Sequence, residues 1–218
     1  TIVGGSGFDL LLESGNSDFI LTNNSLVGNG IDSLTAIQQV NITGGNSNNL
    51  IDASAVTTIN KTFLSGGAGD DTIKGGAKQD TLVGDAGNDL LEGGDLRDIL
   101  YGSTGNDNLM GMSGNDVLRG EDGNDTLSGG SGFDVLDGGT GLGSDVFVIE
   151  VTSCRDTILN FEDGIDYFSL GSSVSFADLR IVGNAAGTVS AIRLESNNQL
   201  LAVVKDIGYT DITEADFV

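Results

Sequence analysis

Through the middle of the chain, aspartate returns at every ninth residue: Asp71, Asp80, Asp89, Asp98, Asp107, Asp116, Asp125 and Asp134. Each closes a short glycine-rich segment. From Gly66 to Asp137 the chain divides without a gap into eight nine-residue blocks: GGAGDDTIK, GGAKQDTLV, GDAGNDLLE, GGDLRDILY, GSTGNDNLM, GMSGNDVLR, GEDGNDTLS and GGSGFDVLD. Position 1 is glycine and position 6 aspartate in all eight. Position 4 is glycine in six, namely Gly69, Gly87, Gly105, Gly114, Gly123 and Gly132, with Lys78 and Leu96 as the exceptions. Carboxylates that recur in register, beside turns whose carbonyls point the same way, form an array of hard oxygen donors. Such a set suits Ca²⁺, which takes 6–8 oxygens in flexible geometry, better than Mg²⁺, which demands a strict octahedron. A merely solvated acidic face would admit Asn, Ser or Glu somewhere in eight copies.

The elements that must hold these donors follow from the same pattern. Position 8 is Ile or Leu in every block, from Ile73 to Leu136. Positions 7 to 9 therefore read as a three-residue strand, with position 8 turned inward and its neighbours outward. So short a strand buries nothing alone. Stacked copies pair side by side and make a continuous apolar ladder. Glycine at positions 1 and 4 supplies tight turns and close backbone approach.

The blocks resemble the GGxGxDxUx nonapeptides of the repeats-in-toxin (RTX) family. The strict match covers residues 66–137. The resemblance implies an all-β fold, a right-handed parallel β-roll (a β-solenoid) with two repeats per coil and Ca²⁺ held between repeats i and i+2. Several ions would lie in two columns, one lined by Asp71, Asp89, Asp107 and Asp125, the other by Asp80, Asp98, Asp116 and Asp134. The position-4 glycines belong to the ion-binding turns. Lys78 and Leu96 both fall in the second column. The expectation is a fully occupied first column and a second that loses or weakens its ion between Asp80 and Asp98, with Lys78 supplying positive charge there.

The flanks carry weaker copies. Gly4–Leu12 is a full nonapeptide with Asp9 at position 6, and the block at 13–21 keeps Asp18 and Ile20 without the glycines. Asn49 stands where aspartate is expected in the copy that begins at Gly44. Residues 1–65 are thus read as degenerate solenoid coils, some ion-binding and some held by Asn side chains. Residues 66–148 are the regular roll, ending in a repeat with two extra residues that contains Asp145. Residues 149–218 are read as a β-rich C-terminal cap with strands near 179–183, 188–195 and 200–207; six of the nine Phe lie at or after Phe133. The terminus Glu214–Val218 resembles the acidic-then-apolar tail of type I secretion substrates, and equally suits an ordinary chain end. A chain that starts inside a repeat, without Met or signal peptide, reads as a fragment of a longer protein.

Composition narrows the function. The 218 residues include no His, no Pro, no Trp and one Cys. That excludes a Ser/His/Asp triad, a His-ligated zinc and an internal disulfide. A formal charge of −23, carried by 25 Asp and 7 Glu against 9 Lys and Arg, argues against nucleic acid and anionic membranes as partners. No apolar run reaches the ~18 residues of a membrane span. Glu162, Asp163 and Asp166 form a carboxylate cluster outside the repeats, read as a turn or a further Ca²⁺ site rather than an acid/base pair. Cys154 is read as an isolated thiol. The sequence thus reads as a non-catalytic, extracellular, calcium-binding module that folds after export through type I secretion machinery, its parent carrying any enzyme domain upstream. The alternative is a polysaccharide- or surface-binding module, hinted at by Lys74, Tyr101 and Arg119.

Overall fold

The computed structural model describes residues 1–3, 9–28, 30–140, 143–150, 155–170, 174–183, 189–205 and 212–218. Gly4–Phe8 of the first nonapeptide, Asn29, Gly141, Leu142 and Cys154 lie outside them.

The chain coils through two sheets of eleven strands each. The first sheet runs, in spatial order, Ile2–Val3, Ile31–Thr35, Ser25–Val27, Phe19–Thr22, Leu50–Ala55, Thr72–Lys74, Leu90–Asp95, Asn108–Ser113, Thr126–Ser128, Val146–Ile149 and Tyr167–Leu170. The second runs Leu10–Ser14, Gln39–Thr43, Lys61–Ala68, Thr81–Ala86, Ile99–Thr104, Val117–Asp122, Val135–Asp137, Asp156–Leu159, Leu200–Lys205, Val189–Leu194 and Leu179–Gly183. Through the repeats all pairing is parallel, and the register steps by 18 residues: Ile73 beside Leu91 and Leu109 in one sheet, Leu82 beside Leu100 and Leu118 in the other. Two nonapeptides therefore make one coil of a parallel β-solenoid.

The position-8 side chains from Ile73 to Leu136 are fully buried, and they form one core with Phe147, Ile158 and Phe168 beyond the repeats. Strand residues on either side are half-buried or exposed, as alternation requires. After Val146 the core turns aromatic. Phe161 stacks on Phe168 at 4.3 Å between ring centres, and Phe217 near the chain end packs on Phe168 at 5.2 Å. The tail makes a single turn, Glu214–Asp216, and bridges back to Phe168. The three cap strands expected near 179–183, 188–195 and 200–207 appear as an antiparallel meander joined to the roll through Leu200–Lys205. The N-terminal coils are less regular: Ser25–Val27 pairs antiparallel with both Phe19–Thr22 and Ile31–Thr35, while Leu10–Ser14 pairs parallel with Gln39–Thr43 in the other sheet. Among the described residues no helix is long and apolar enough to cross a membrane.

Leu96 shows what the repeat tolerates. It replaces a position-4 glycine, keeps a left-handed backbone (φ 68°) and leaves its side chain 52 % exposed. The coil keeps its shape at a cost of about 1–2 kcal/mol for a non-glycine residue in that region. Leu96→Gly is therefore expected to raise stability in Ca²⁺ by about 1 kcal/mol, less the entropy that glycine adds to the unfolded chain. Urea denaturation checks this, and a loss of more than about 0.5 kcal/mol would show that the Leu96 side chain contributes packing.

Candidate metal centre

The repeat aspartates line the two edges where the sheets turn into one another. Eleven buried carboxylates, each at most 5 % exposed, form two rows: Asp71, Asp89, Asp107, Asp125, Asp145 and Asp166 on one edge, and Asp80, Asp98, Asp116, Asp134 and Asp156 on the other. A hydrogen-bond ladder aligns them. The N–H of Asp71 donates to Oδ1 of Asp89 at 2.7 Å, that of Asp89 to Asp107 at 2.7 Å and that of Asp107 to Asp125 at 2.8 Å. The first row continues through Asp145 to Asp166. On the other edge the ladder runs from Asp80 through Asp98, Asp116 and Asp134 to Asp156. Asp156 and Asp166 fall outside the nonapeptide pattern, because insertions lengthen the step from 18 to 22 and 21 residues.

The ladder uses one oxygen of each carboxylate. The other, Oδ2, is buried without a hydrogen-bond partner in Asp71, Asp89, Asp98, Asp107, Asp116, Asp125 and Asp134. An unpaired buried carboxylate oxygen is costly, so something must satisfy it. Each lies against the position-1 glycine of its own repeat. A Cβ on Gly93 would meet Asp98 Oδ2 at 2.8 Å and the Gly111 carbonyl oxygen of the next coil at 2.8 Å; on Gly111 it would meet Asp116 Oδ2 and the Gly129 carbonyl oxygen, both at 2.6 Å. Carboxylate of one coil and carbonyl of the next thus converge around a position where no side chain fits. At position 4 a Cβ on Gly87, Gly105, Gly114, Gly123 or Gly132 would collide with the carbonyl of the coil before, and one on Gly69 would press on the backbone at Asn48. Among the described residues no three acidic or thiol side chains gather into a metal cage. A cation here would rely on backbone carbonyls with one or two carboxylates, the hard donor set that suits Ca²⁺.

Electrostatics agree with an incomplete site. Burial, and then neighbouring carboxylates, push Asp98 up to about 8 and Asp107 to about 7. Burial likewise holds Asp116, Asp145 and Asp156 at about 7, and Asp89 and Asp125 at about 6. These groups resist ionising until a counter-charge arrives.

Two members of the rows differ, as does Asn49, whose N–H donates to Asp71 Oδ1 at the head of the first row. Asp80 accepts on Oδ1 from the Thr62 N–H (2.8 Å) and hydroxyl (2.9 Å), and on Oδ2 from the Gly76 N–H at 2.8 Å. Asp166 Oδ2 accepts from Glu162 N–H at 2.8 Å, and Asn49 Oδ1 from Gly45 N–H at 2.8 Å. In each, the N–H four residues earlier closes the turn. In the repeats whose carboxylate keeps a free oxygen, that residue has a left-handed backbone, from Gly67 (φ 98°) through Asp85, Gly94, Ser103, Met112 and Glu121 to Gly130 (φ 87°). Gly76 and Gly45 do not adopt it. The departure expected around Asp80 and Asp98 thus resolves unequally: the Lys78 turn is closed, whereas the Leu96 turn stays open. Lys78 forms no ion pair among the described residues, and the cation that eases ionisation of Asp80 is Lys61.

The flanking candidates divide as well. Asp145 joins the first row, but Asp18 is exposed and only accepts from the Leu50 N–H at 2.9 Å, outside the ladder. Its copy has lost the glycines that would bury it. Asp9 is half-buried with one oxygen unpartnered, and the turn before it lies outside the described residues. Of the cluster at 162–166, Asp166 belongs to the first row. Lys74 pairs with Glu92 on the first sheet at 2.8 Å, while Arg119 lies over the Tyr101 ring at 5.6 Å on the second, so these three do not converge.

Sequence reasoning passed over a second ladder at position 5. Asn48 accepts from the Asp70 N–H, Asp70 from Asn88, Asn88 from Asn106, Asn106 from Asn124 and Asn124 from Ser144, at 2.7–3.0 Å. On the other edge only Asn115 repeats it, accepting from Phe133, because Gln79 and Arg97 occupy the earlier places. The signal was visible in the recurring Gly-Asn-Asp of four repeats.

The family of RTX calcium-binding nonapeptide repeats, described in units of four copies, matches residues 65–100 and again 101–136. Among curated proteins none matches the chain. Among solved structures, the AlgE6R3 subunit of the Azotobacter vinelandii mannuronan C5-epimerase, determined in solution, is similar at 28 % identity and a TM-score of 0.46, over 57 % of this chain and 78 % of that one. With two aspartate rows, their free oxygens and the family match over the same residues, the stretch 65–136 of this chain consists of RTX calcium-binding nonapeptide repeats.

Proposed function

We propose that the protein is a calcium-folded β-roll that serves as the folding, stabilising and export module of a larger extracellular protein. The observation that carries this is the set of seven buried Oδ2 atoms without partners, five of which (Asp71, Asp89, Asp98, Asp107 and Asp116) converge with a carbonyl of the next coil on the position-1 glycine of their repeat. Asp71, Asp89, Asp107, Asp125 and Asp145 would hold ions on one edge and Asp98, Asp116 and Asp134 on the other, with Asp9 a further ligand. Asp80, Asp166 and Asn49 would close the ends. The glycines at position 4 let successive turns approach closely enough for carbonyls to share in the site. Bound Ca²⁺ would supply the positive charge that the buried carboxylates lack. On this reading residues 1–65 would be degenerate coils, 66–148 the regular calcium-binding roll and 149–218 the cap.

Without the ion the rows repel, and glycine-rich turns lose much entropy on ordering. In a chain of charge −23 the repeat region then stays largely unfolded where Ca²⁺ is scarce, a state suited to passage through type I secretion machinery, and folds where Ca²⁺ is abundant by mass action. The roll itself offers no catalytic constellation among the described residues, so catalysis would belong to a domain elsewhere in the parent protein. A polysaccharide- or surface-binding role rests on the Arg119–Tyr101 pair alone.

Far-UV circular dichroism during a Ca²⁺ titration, after EDTA treatment and with Mg²⁺ as control, tests the reading. The expected result is a cooperative coil-to-β transition with Ca²⁺ and none with Mg²⁺ at equal concentration. A spectrum fully β-rich in EDTA and indifferent to Ca²⁺ would overturn it.

A further inference from the structure

The turns of the N-terminal coils are satisfied by neutral side chains where those of the repeats leave carboxylates open. Asn16 Oδ1 accepts from the N–H groups of Asn46 (2.9 Å) and Ser47 (3.0 Å) and from the Ser47 hydroxyl (2.7 Å). Asn23 Oδ1 accepts from Thr57 N–H (2.7 Å) and Thr58 N–H (2.9 Å), and its amide donates to the Thr57 hydroxyl. Asn49 closes its own turn, and Thr62 stands in the row where the next coils carry Asp80 and Asp98. Before residue 65 the one buried side-chain oxygen left without a partner, among the described residues, is that of Asp9. The apolar content is also larger. Twelve buried hydrophobic residues lie between Leu11 and Leu64, including Phe19, against eight between Ile73 and Leu136. This stretch has more to bury and no row of like charges opposing burial.

Its last strands are also prepared to receive the next coil. Lys61–Ala68 pairs on one side with Gln39–Thr43 and on the other with Thr81–Ala86, and Leu50–Ala55 pairs with Thr72–Lys74. The first repeat coil docks through Asn49 N–H to Asp71 Oδ1 (2.6 Å) and through Thr62 to Asp80, both from the neutral side. The cap at the other end has an aromatic core of its own, but it is joined to the roll through Asp145 and Asp156, buried carboxylates of the ion-bearing rows.

We propose that the N-terminal coils, from Leu10–Ser14 to Lys61–Ala68, fold without metal and act as the template onto which calcium-bearing coils add in order from residue 66 onward. The inference rests on the calcium-folding reading above. It makes the start of the roll a resident seed and gives folding a direction, as expected for a solenoid whose coils contact only their neighbours.

Hydrogen exchange of the full chain, read by mass spectrometry in EDTA and at rising Ca²⁺, tests it. In EDTA the amides of 40–43, 51–53 and 62–64 are expected to exchange at least about tenfold more slowly than those of 99–101, 117–119 and 126–128. At substoichiometric Ca²⁺, protection should reach 81–83 before 135–137. Protection in EDTA confined to residues 146–204 would overturn the proposal by placing the seed in the cap. Uniform exchange in EDTA, followed by simultaneous protection everywhere, would overturn it while leaving calcium folding intact. Exchange that ignores Ca²⁺ throughout would instead remove the calcium reading, and the seed with it.

Discussion

Asp107→Asn is expected to cost the protein at least one bound Ca²⁺ and to raise the Ca²⁺ midpoint of folding about tenfold, whereas Asp80→Asn leaves the number of bound ions unchanged. The two aspartates occupy the same place in the nonapeptide, so the pattern alone predicts equal effects. Their surroundings differ. Asp107 accepts one N–H, from Asp89, and its Oδ2 is buried with no partner. Asparagine would keep the ladder bond through its carbonyl oxygen and remove the charge that a cation needs. It would also remove a carboxylate that burial makes hard to ionise, so at neutral pH the metal-free folded state should gain from the change while the calcium-bound state loses. Asp80 spends both oxygens on Thr62 and Gly76. Asparagine there turns an amide toward an N–H donor, a cost of about 1–3 kcal/mol in stability that is unrelated to the ion. Native mass spectrometry counts the ions, and dichroism gives the midpoints. Equal ion loss in both variants would show that Asp80 is a ligand and that the closed turn opens on binding.

The contrast between Asp107 and Asp80 also marks how far the sequence carried. The coil, the inward position 8 and the two aspartate rows were legible because stacking forces an 18-residue register, and a fixed register repeats in the sequence. The cap strands were legible from alternation between Asn/Gly turns. Asp156 and Asp166 were hidden because insertions in the two preceding loops break the period, although the ladder absorbs them without a gap. The closed turns were hidden for another reason. Whether the Gly76 N–H points at Asp80 depends on one backbone dihedral, and glycine is compatible with either setting. Lys78 marked the right turn but with the wrong physics: the turn is closed by a backbone N–H, and the helpful cation, Lys61, comes from the preceding coil. Asp18 was misplaced because aspartate and an apolar residue two places on resemble a repeat even when the glycines that would bury the carboxylate are missing.

Acidity should act on this protein in opposite directions with and without the ion. In the unfolded chain an aspartate titrates near ~3.9. In the folded, metal-free chain Asp98 is pushed up to about 8, Asp107 and Asp116 to about 7, and Asp89 and Asp125 to about 6, in each case by burial first. Between about pH 4 and pH 8 the folded form therefore holds protons that the unfolded form has released, and linkage makes stability fall as pH rises. The contribution of these carboxyls is fully present below about pH 4 and is lost as pH climbs through 6 to 8. Each pH unit by which a carboxyl is raised makes its ionised form about 1.4 kcal/mol less stable in the fold, and several carboxyls act together. Metal-free protein is thus expected to hold clearly more β structure at about pH 5.5, above its pI of about 4.1, than at about pH 8. Calcium reverses the sign, because its ligands must be ionised: binding releases protons, and the Ca²⁺ midpoint at about pH 5.5 should lie at least about tenfold above that at about pH 8. Dichroism of dilute, resin-decalcified protein across this range reads both arms. A metal-free signal that grows with pH would mean that the rows are ionised and hydrated in the fold, and a calcium midpoint indifferent to pH would mean that protons and calcium do not compete for the same oxygens.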